Sequence, residues 1–188
     1  MEKDNNKKFG ARNIAFIGMS VALMAICSWI SIPATIPFTL QTFAIFITLY
    51  ILGFRDGSIA IITYITLGVI GVPVFSNFGG GLGVLMGPTG GYIIGFIPIC
   101  LVYFLFEVIT KKAIWGRIVS SIIGLAVCYF VGTVWFLVVY NNINDMTITN
   151  ALMLCVVPFI IPDLIKIFLG LFISIKLNKV LDNDRNPK

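Results

Sequence analysis

The chain has 188 residues, of which 59% are apolar and only 11% charged, and its mean hydropathy is +1.02. A soluble domain carries about 25% charged residues, so this chain of 20.7 kDa is too poor in charge to cover itself in water, and lipid is the solvent that accounts for the apolar excess. A soluble enzyme and a soluble nucleic-acid binder are thereby excluded; the net charge of +5 comes from short basic clusters between uncharged blocks, not from a stripe along one face.

Met1 to Arg12 is polar and mixed in charge, and the apolar run after it is too long, and lacks the cleavage site, to predict a signal peptide. Blocks near the ~20 residues needed to cross a bilayer follow at Asn13–Ile32, Phe38–Phe54, Ser58–Val72, Gly90–Ile109, Ile118–Tyr140 and Ala151–Ile175. The sequence thus predicts an all-α membrane protein of six transmembrane helices. The whole of 1–188 forms one domain, with 1–12 and 176–188 as polar tails, since no inverted repeat, low-complexity tract or linker divides it. The third block is about 22 Å long at 1.5 Å per residue, less than the roughly 30 Å hydrocarbon core, and is expected to continue into ordered loop.

Orientation follows from the basic residues. With the N-terminus inside, Lys3, Lys7, Lys8, Arg12, Arg55, Lys111, Lys112, Arg117, Lys176, Lys179, Arg185 and Lys188 all fall on cytoplasmic segments and none on outer loops. Both termini are predicted to be cytoplasmic. The remaining basic residue, Lys166, lies inside the last block.

Cys27, Cys100, Cys128 and Cys155 occur one per block, without metal or redox spacing, and the chain has no histidine; they read as small core or lipid-facing residues. A zinc enzyme or a Ser-His-Asp hydrolase is not expected.

Along the first helix, Ala11, Ala15, Gly18, Ala22 and Ala25 recur at steps of three and four, a stripe of small residues that lets helices approach closely in lipid. It serves either packing within the bundle or a partner. The segment after it places Gln41 and Thr42 near the outer mouth, and Gln41 is expected to face the interior. The stretch Gly71–Tyr92 is uncharged and dense in glycine, yet apolar, and reads as a lid or wall over an outer cavity, with Asn77, Thr89 and Tyr92 as polar handles. It lacks the Gly-Lys-Ser/Thr of a phosphate loop.

The last block holds the strongest signal. Asp163 and Lys166 stand at i and i+3, on one helix face, where an ionisable group costs about 2.5 to 3.5 kcal/mol at mid-membrane. They either pair structurally or grip a ligand together. Pro158 and Pro162, just before them, each remove a backbone donor and predict a kink or unwound turn.

With these residues in view, the sequence resembles the BioY family, the biotin-specific substrate-binding (S) components of energy-coupling factor (ECF) transporters. The resemblance runs over nearly the whole chain and is carried by Pro37-Phe-Thr-Leu-Gln-Thr42, Gly71-Val-Pro-Val-Phe75, Gly87-Pro-Thr-Gly-Gly-Tyr-Ile-Ile-Gly-Phe96 and Pro162-Asp-Leu-Ile-Lys166. Pro162 departs from the glycine frequent there in the family. The resemblance implies a six-helix S-component fold in a prokaryotic cell membrane, with an outward-facing biotin cavity. It also implies a membrane-embedded coupling (T) protein and two cytosolic ABC-type ATPases as partners, and biotin as cargo with no cofactor. The chain has no Walker motif of its own. On this reading Asp163, with Asn77, accepts the ureido N–H groups, Lys166 donates to the ureido oxygen or the carboxylate, and Phe75, Tyr92 and Gln41 complete the site. Ala11, Ala15, Gly18 and Ala22 form the partner surface.

Two rival classes remain at this point. A stand-alone transporter would use Asp163 to shuttle a proton, against which stands the missing inverted repeat. An intramembrane enzyme would use Asp163 as acid or base, but lacks a second carboxylate, a metal site or a nucleophile–base pair.

Overall fold

The computed structural model describes residues 10–111, 113–140 and 147–185. Helix α1 (Ala11–Trp29) is followed by a two-stranded hairpin, β1 (Ser31–Ile32) and β2 (Phe38–Thr39), and by α2 (Gln41–Val69). A loop with a 3-10 turn at Ser76–Phe78 leads to two short helices, α3 (Leu82–Met86) and α4 (Gly90–Ile94), and then to α5 (Phe96–Ile109), α6 (Ile114–Tyr140), α7 (Ile148–Cys155) and α8 (Val157–Arg185).

Among the described residues, five helical stretches are long and apolar enough to cross a membrane, and one of them counts twice. Inside α2, Gly53 has φ 73° and ψ −177°, a conformation that glycine adopts without the steric penalty of a Cβ, and the chain reverses there. Contacts on either side of Gly53 are antiparallel: Gln41 Nε2 donates to Tyr64 OH at 2.7 Å, and a Cβ on Gly57 would stand 3.3 Å from Leu49 Cα. The expected second and third helices are therefore the two halves of α2, and the bundle has six crossings.

Other boundaries move for local reasons. The first helix ends at Trp29 rather than Ile32, because Pro33 and Pro37 favour extended backbone around them and the chain forms the hairpin, Ser31 opposite Thr39. The fourth crossing is α4 and α5 joined at Gly95. The sixth is α7 and α8, broken at Val156 (φ −121°, ψ −57°). The break thus precedes the prolines. Pro158 is the second residue of α8, where its missing N–H is one of the four that have no helical partner in any case, and Pro162 lies inside the helix. Helix α8 runs on to Arg185, through the residues read as the tail from 176, since leaving the apolar block does not end a helix built from Lys and Leu.

The core is drawn chiefly from α1, α2, α5 and α8 and from the loop after α2: Met24, Phe46, Tyr50, Tyr64, Phe75, Ile99 and Ile167 are buried. Large apolar side chains also cover the outside, among them Ile14, Leu105, Phe130, Phe168 and Phe172. Apolar side chains facing both inward and outward fit a helix bundle solvated by lipid. Close approach at Gly90 is tight, because a Cβ there would fall 1.7 Å from the backbone oxygen of Leu85, which cannot rotate away. Gly90→Ala should destabilise the bundle by about 2 kcal/mol or more, read as a lowered thermal midpoint of the purified protein; an unchanged midpoint would contradict the packing described.

Candidate functional site

At the end of the bundle that carries the hairpin, Asp163 and Lys166 are buried, 3% and 6% exposed, at the start of α8. Their side chains pair at 2.7 Å. The break at Val156 and the i, i+3 spacing of the two side chains turn both onto the face that meets α2 and α6. There Asp163 Oδ1 also accepts from Thr42 Oγ1 at 2.9 Å, and Oδ2 accepts from Tyr129 OH at 2.6 Å. Lys166 Nζ donates to the Thr39 carbonyl at 2.6 Å and to Thr42 Oγ1 at 3.3 Å, and lies 4.3 Å from the centre of the Phe38 ring.

This arrangement makes the burial of two charges tolerable, because an ion pair in a dry interior is stable only when its remaining donors and acceptors are satisfied. An ammonium has three donors and a carboxylate roughly four acceptor positions. The three acceptors around Lys166 use all of its N–H groups, whereas Asp163 Oδ2 takes one bond and has capacity for another. Asp163 can accept a ligand N–H without losing a partner. Lys166 can serve a ligand only by releasing Thr39 or Thr42.

The pair lines a cavity of about 60 Å³. Ile36, Pro37, Thr39 and Thr42 form the side toward the hairpin and α2; Tyr92, Cys128 and Tyr129 come from α4 and α6, and Cys155 and Phe159 from the α7–α8 junction. Phe38 stacks on Phe159 with ring centres 5.7 Å apart. Tyr92 is held by a hydrogen bond between its OH and Thr133 Oγ1 at 3.2 Å, and its ring packs on Gly132, where a Cβ would fall 2.3 Å from a ring carbon.

Of the six side chains that the sequence reading gave to the site, this cavity brings together Asp163, Lys166 and Tyr92. Gln41 is buried beside it, donating to Tyr64 OH, which in turn donates to the Val74 carbonyl at 2.9 Å. Phe75 is in the core, edge-on to Tyr64 at 5.6 Å. Asn77 is exposed and accepts from Ser31 Oγ at 3.1 Å. The first part of the glycine loop does not cover the cavity: Trp29 Nε1 donates to the Pro73 carbonyl at 2.8 Å and Phe78 stacks on Trp29 at 5.0 Å, seating it on the end of α1. Thr39, Tyr129 and Phe159 escaped the sequence reading. Tyr129 lies in an uncharged apolar block with no neighbour in sequence to mark it, and Thr39 contributes a backbone carbonyl, which any residue carries.

The small-residue stripe of α1 is divided. Ala11, Ala15, Gly18 and Ala22 are exposed and Ala25 is buried. A Cβ added at Gly18 would meet nothing within 4 Å.

Fold and site together define a multi-pass α-helical membrane protein with a polar, ion-paired cavity at the end of its bundle away from the lysine- and arginine-bearing segments. The chain belongs to the BioY family, whose profile matches residues 2–183. It is 40% identical over 170 residues to the biotin transporter BioY of Thermotoga maritima, covering 90% of this chain and 97% of that one. To the probable biotin transporter BioY of Pyrococcus horikoshii it is 35% identical over 168 residues, 89% of this chain and 96% of the relative. Its structure matches a crystal structure of the S-component for biotin from an ECF-type ABC transporter with a TM-score of 0.81 at 25% identity, over 95% of both chains. The six-helix bundle is thus the ECF S-component fold.

Proposed function

We propose that this protein is the S component that captures biotin and delivers it through an ATP-driven ECF transporter. The observation that carries the reading is the buried Asp163–Lys166 pair opening on a cavity, in a chain of the BioY family. Asp163 Oδ2 takes one ureido N–H. Lys166 exchanges the Thr39 carbonyl for a ligand oxygen, a charged hydrogen bond in a dry cavity being of the strong kind. Tyr92 and Phe159 hold the apolar ring system. Gln41, Phe75 and Asn77 act through the walls: the first two fix Tyr64 and the loop after α2, and Asn77 ties that loop to Ser31.

Ligand pockets enclose about 300 to 1,000 Å³, so a cavity of about 60 Å³ must widen to admit biotin, and the Phe38–Phe159 stack is the contact that gives way. The basic residues gather at the other end of the bundle, and by the positive-inside rule this supports a reading with that end and both termini in the cytoplasm and the cavity outside. Energy for uptake comes from two cytosolic ATPases acting through a membrane-embedded coupling protein, which meets the exposed face of α1.

The testing experiment is equilibrium binding of labelled biotin to the purified chain, with dethiobiotin and thiamine as competitors. Tight binding that thiamine fails to displace supports the reading, and no binding overturns it. Gly132→Ala supplies a check on the wall. Its methyl would displace the Tyr92 ring, and the affinity should fall by about tenfold, the effect of about 1.4 kcal/mol of overpacking. Full affinity in that variant would remove Tyr92 from the site.

A further inference from the structure

The cavity at Asp163 and Lys166 decides which end of a ligand enters first, and that choice decides what the other end can carry. Asp163 Oδ1 lies 2.7 Å from Lys166 Nζ, so the pair as a whole is neutral and presents an acceptor beside a donor. A ligand carboxylate placed on Lys166 would share the ammonium with Asp163 and repel it, in surroundings too dry to screen two like charges. A ureido group carries no charge and offers an N–H beside a carbonyl oxygen, the complement of the pair. The ring system therefore points at α8, and the valerate tail runs back toward the hairpin, past Ile36, Pro37 and Phe159.

No second cation answers the charge of that tail. Lys166 is the one cation among the described residues that line the cavity, and the sequence has no Lys or Arg between Arg12 and Arg55, between Arg55 and Lys111, or between Arg117 and Lys166. The hairpin, the glycine loop and α7 are all drawn from these intervals. A carboxylate taken out of water without a cation carries a large desolvation penalty, and Ile36, Pro37 and Phe159 offer it no side-chain donor. A bound ligand therefore keeps its terminal oxygens in water, beyond the wall. The tail has the reach for this. Thr42, which bonds both Asp163 and Lys166, is the second residue of α2 and lies directly below the hairpin, while the five extended bonds from ring to carboxyl carbon span about 6 Å, more than one helical turn of about 5.4 Å.

We propose that the site captures a wider class of ligand than the free acid: biotin joined through its carboxyl carbon to a small amine or alcohol, as an amide or an ester, is bound nearly as tightly as biotin. This rests on the reading that the cavity takes biotin and extends it to the class of substrate. The carboxylate of free biotin is solvated before and after binding, so its charge adds nothing to affinity, and a group attached there lies outside the wall. Selectivity then resides in the ring system.

Competition against radiolabelled biotin on the full-length protein in nanodiscs tests this. Biotin methyl ester and N-butyl biotinamide are expected to bind within about tenfold of biotin, and biotin methylated on both ureido nitrogens more than about tenfold more weakly. A larger loss for the ester and the amide overturns the proposal, because the carboxylate would then be held by the protein. Binding of the ureido-methylated compound within about tenfold of biotin overturns the orientation on which the proposal stands. Failure of biotin itself to bind overturns the function proposed for the site instead. Ile36→Lys supplies the cation that the hairpin lacks. It should favour biotin over N-butyl biotinamide by about tenfold relative to the unmodified protein, and its binding of the amide shows that the variant is folded. An unchanged ratio overturns the placement of the tail beside the hairpin.

Discussion

Replacing Asp163 by asparagine is expected to weaken biotin binding by about 100-fold or more, measured as the equilibrium affinity of the purified chain. The carboxylate is the acceptor at the centre of the cavity, and it also neutralises a lysine 2.7 Å away. An amide presents one oxygen and turns an N–H toward groups that are themselves donors, Tyr129 OH or Thr42 Oγ1. The single variant conflates two losses, since an unpaired buried ammonium destabilises the fold by about 3 to 5 kcal/mol on its own. Asp163→Asn/Lys166→Met separates them. With both charges removed, the bundle should regain much of its thermal stability, because a buried ion pair contributes little relative to apolar groups of similar shape, while binding stays lost. Tight binding by the double variant would make the pair a structural clasp and nothing more.

The polar pair was legible in the sequence because the bilayer makes an ionisable group conspicuous; Asp163 and Lys166 interrupt a block that is otherwise apolar. The number of crossings was legible for the same reason, through the charge-free blocks between Arg12, Arg55, Glu107 and Arg117. Other parts of the site were not. Tyr129 and Phe159 look in sequence like any lipid-facing aromatic, and only their burial against Asp163 distinguishes them. Asn77 stood out as the polar residue of an apolar loop, yet its side chain meets Ser31 across the top of the hairpin, a contact between residues far apart in the chain that no local pattern encodes. The prolines signalled a break near residue 160 but not its position, because a proline in the first turn of a helix forfeits nothing and Val156 carries the irregular backbone instead.

Ala15→Trp is expected to abolish biotin uptake by cells that contain the complete transporter, a loss of at least about tenfold, while the purified variant binds biotin within about twofold of the unmodified protein. Ala15 is exposed on α1 with Ala11, Gly18 and Ala22 along the same line. Most of the remaining outer surface is covered by large side chains such as Ile14, Ile122 and Phe130, as lipid contact permits. A row of small residues gains nothing from lipid, because acyl chains pack on any apolar surface; what it permits is the approach of a second backbone. The space beside Gly18 is open, so the row is not filled by this chain's own helices, and an indole at Ala15 would stand in the path of a partner helix without touching the cavity at Asp163. Ile122→Trp, a large substitution on the lipid-facing side of α6, is the control and should leave uptake intact. If Ala15→Trp and Ile122→Trp reduced uptake equally, bulk in the membrane would be the cause; if Ala15→Trp transported normally, the partner would have to meet another face of the bundle.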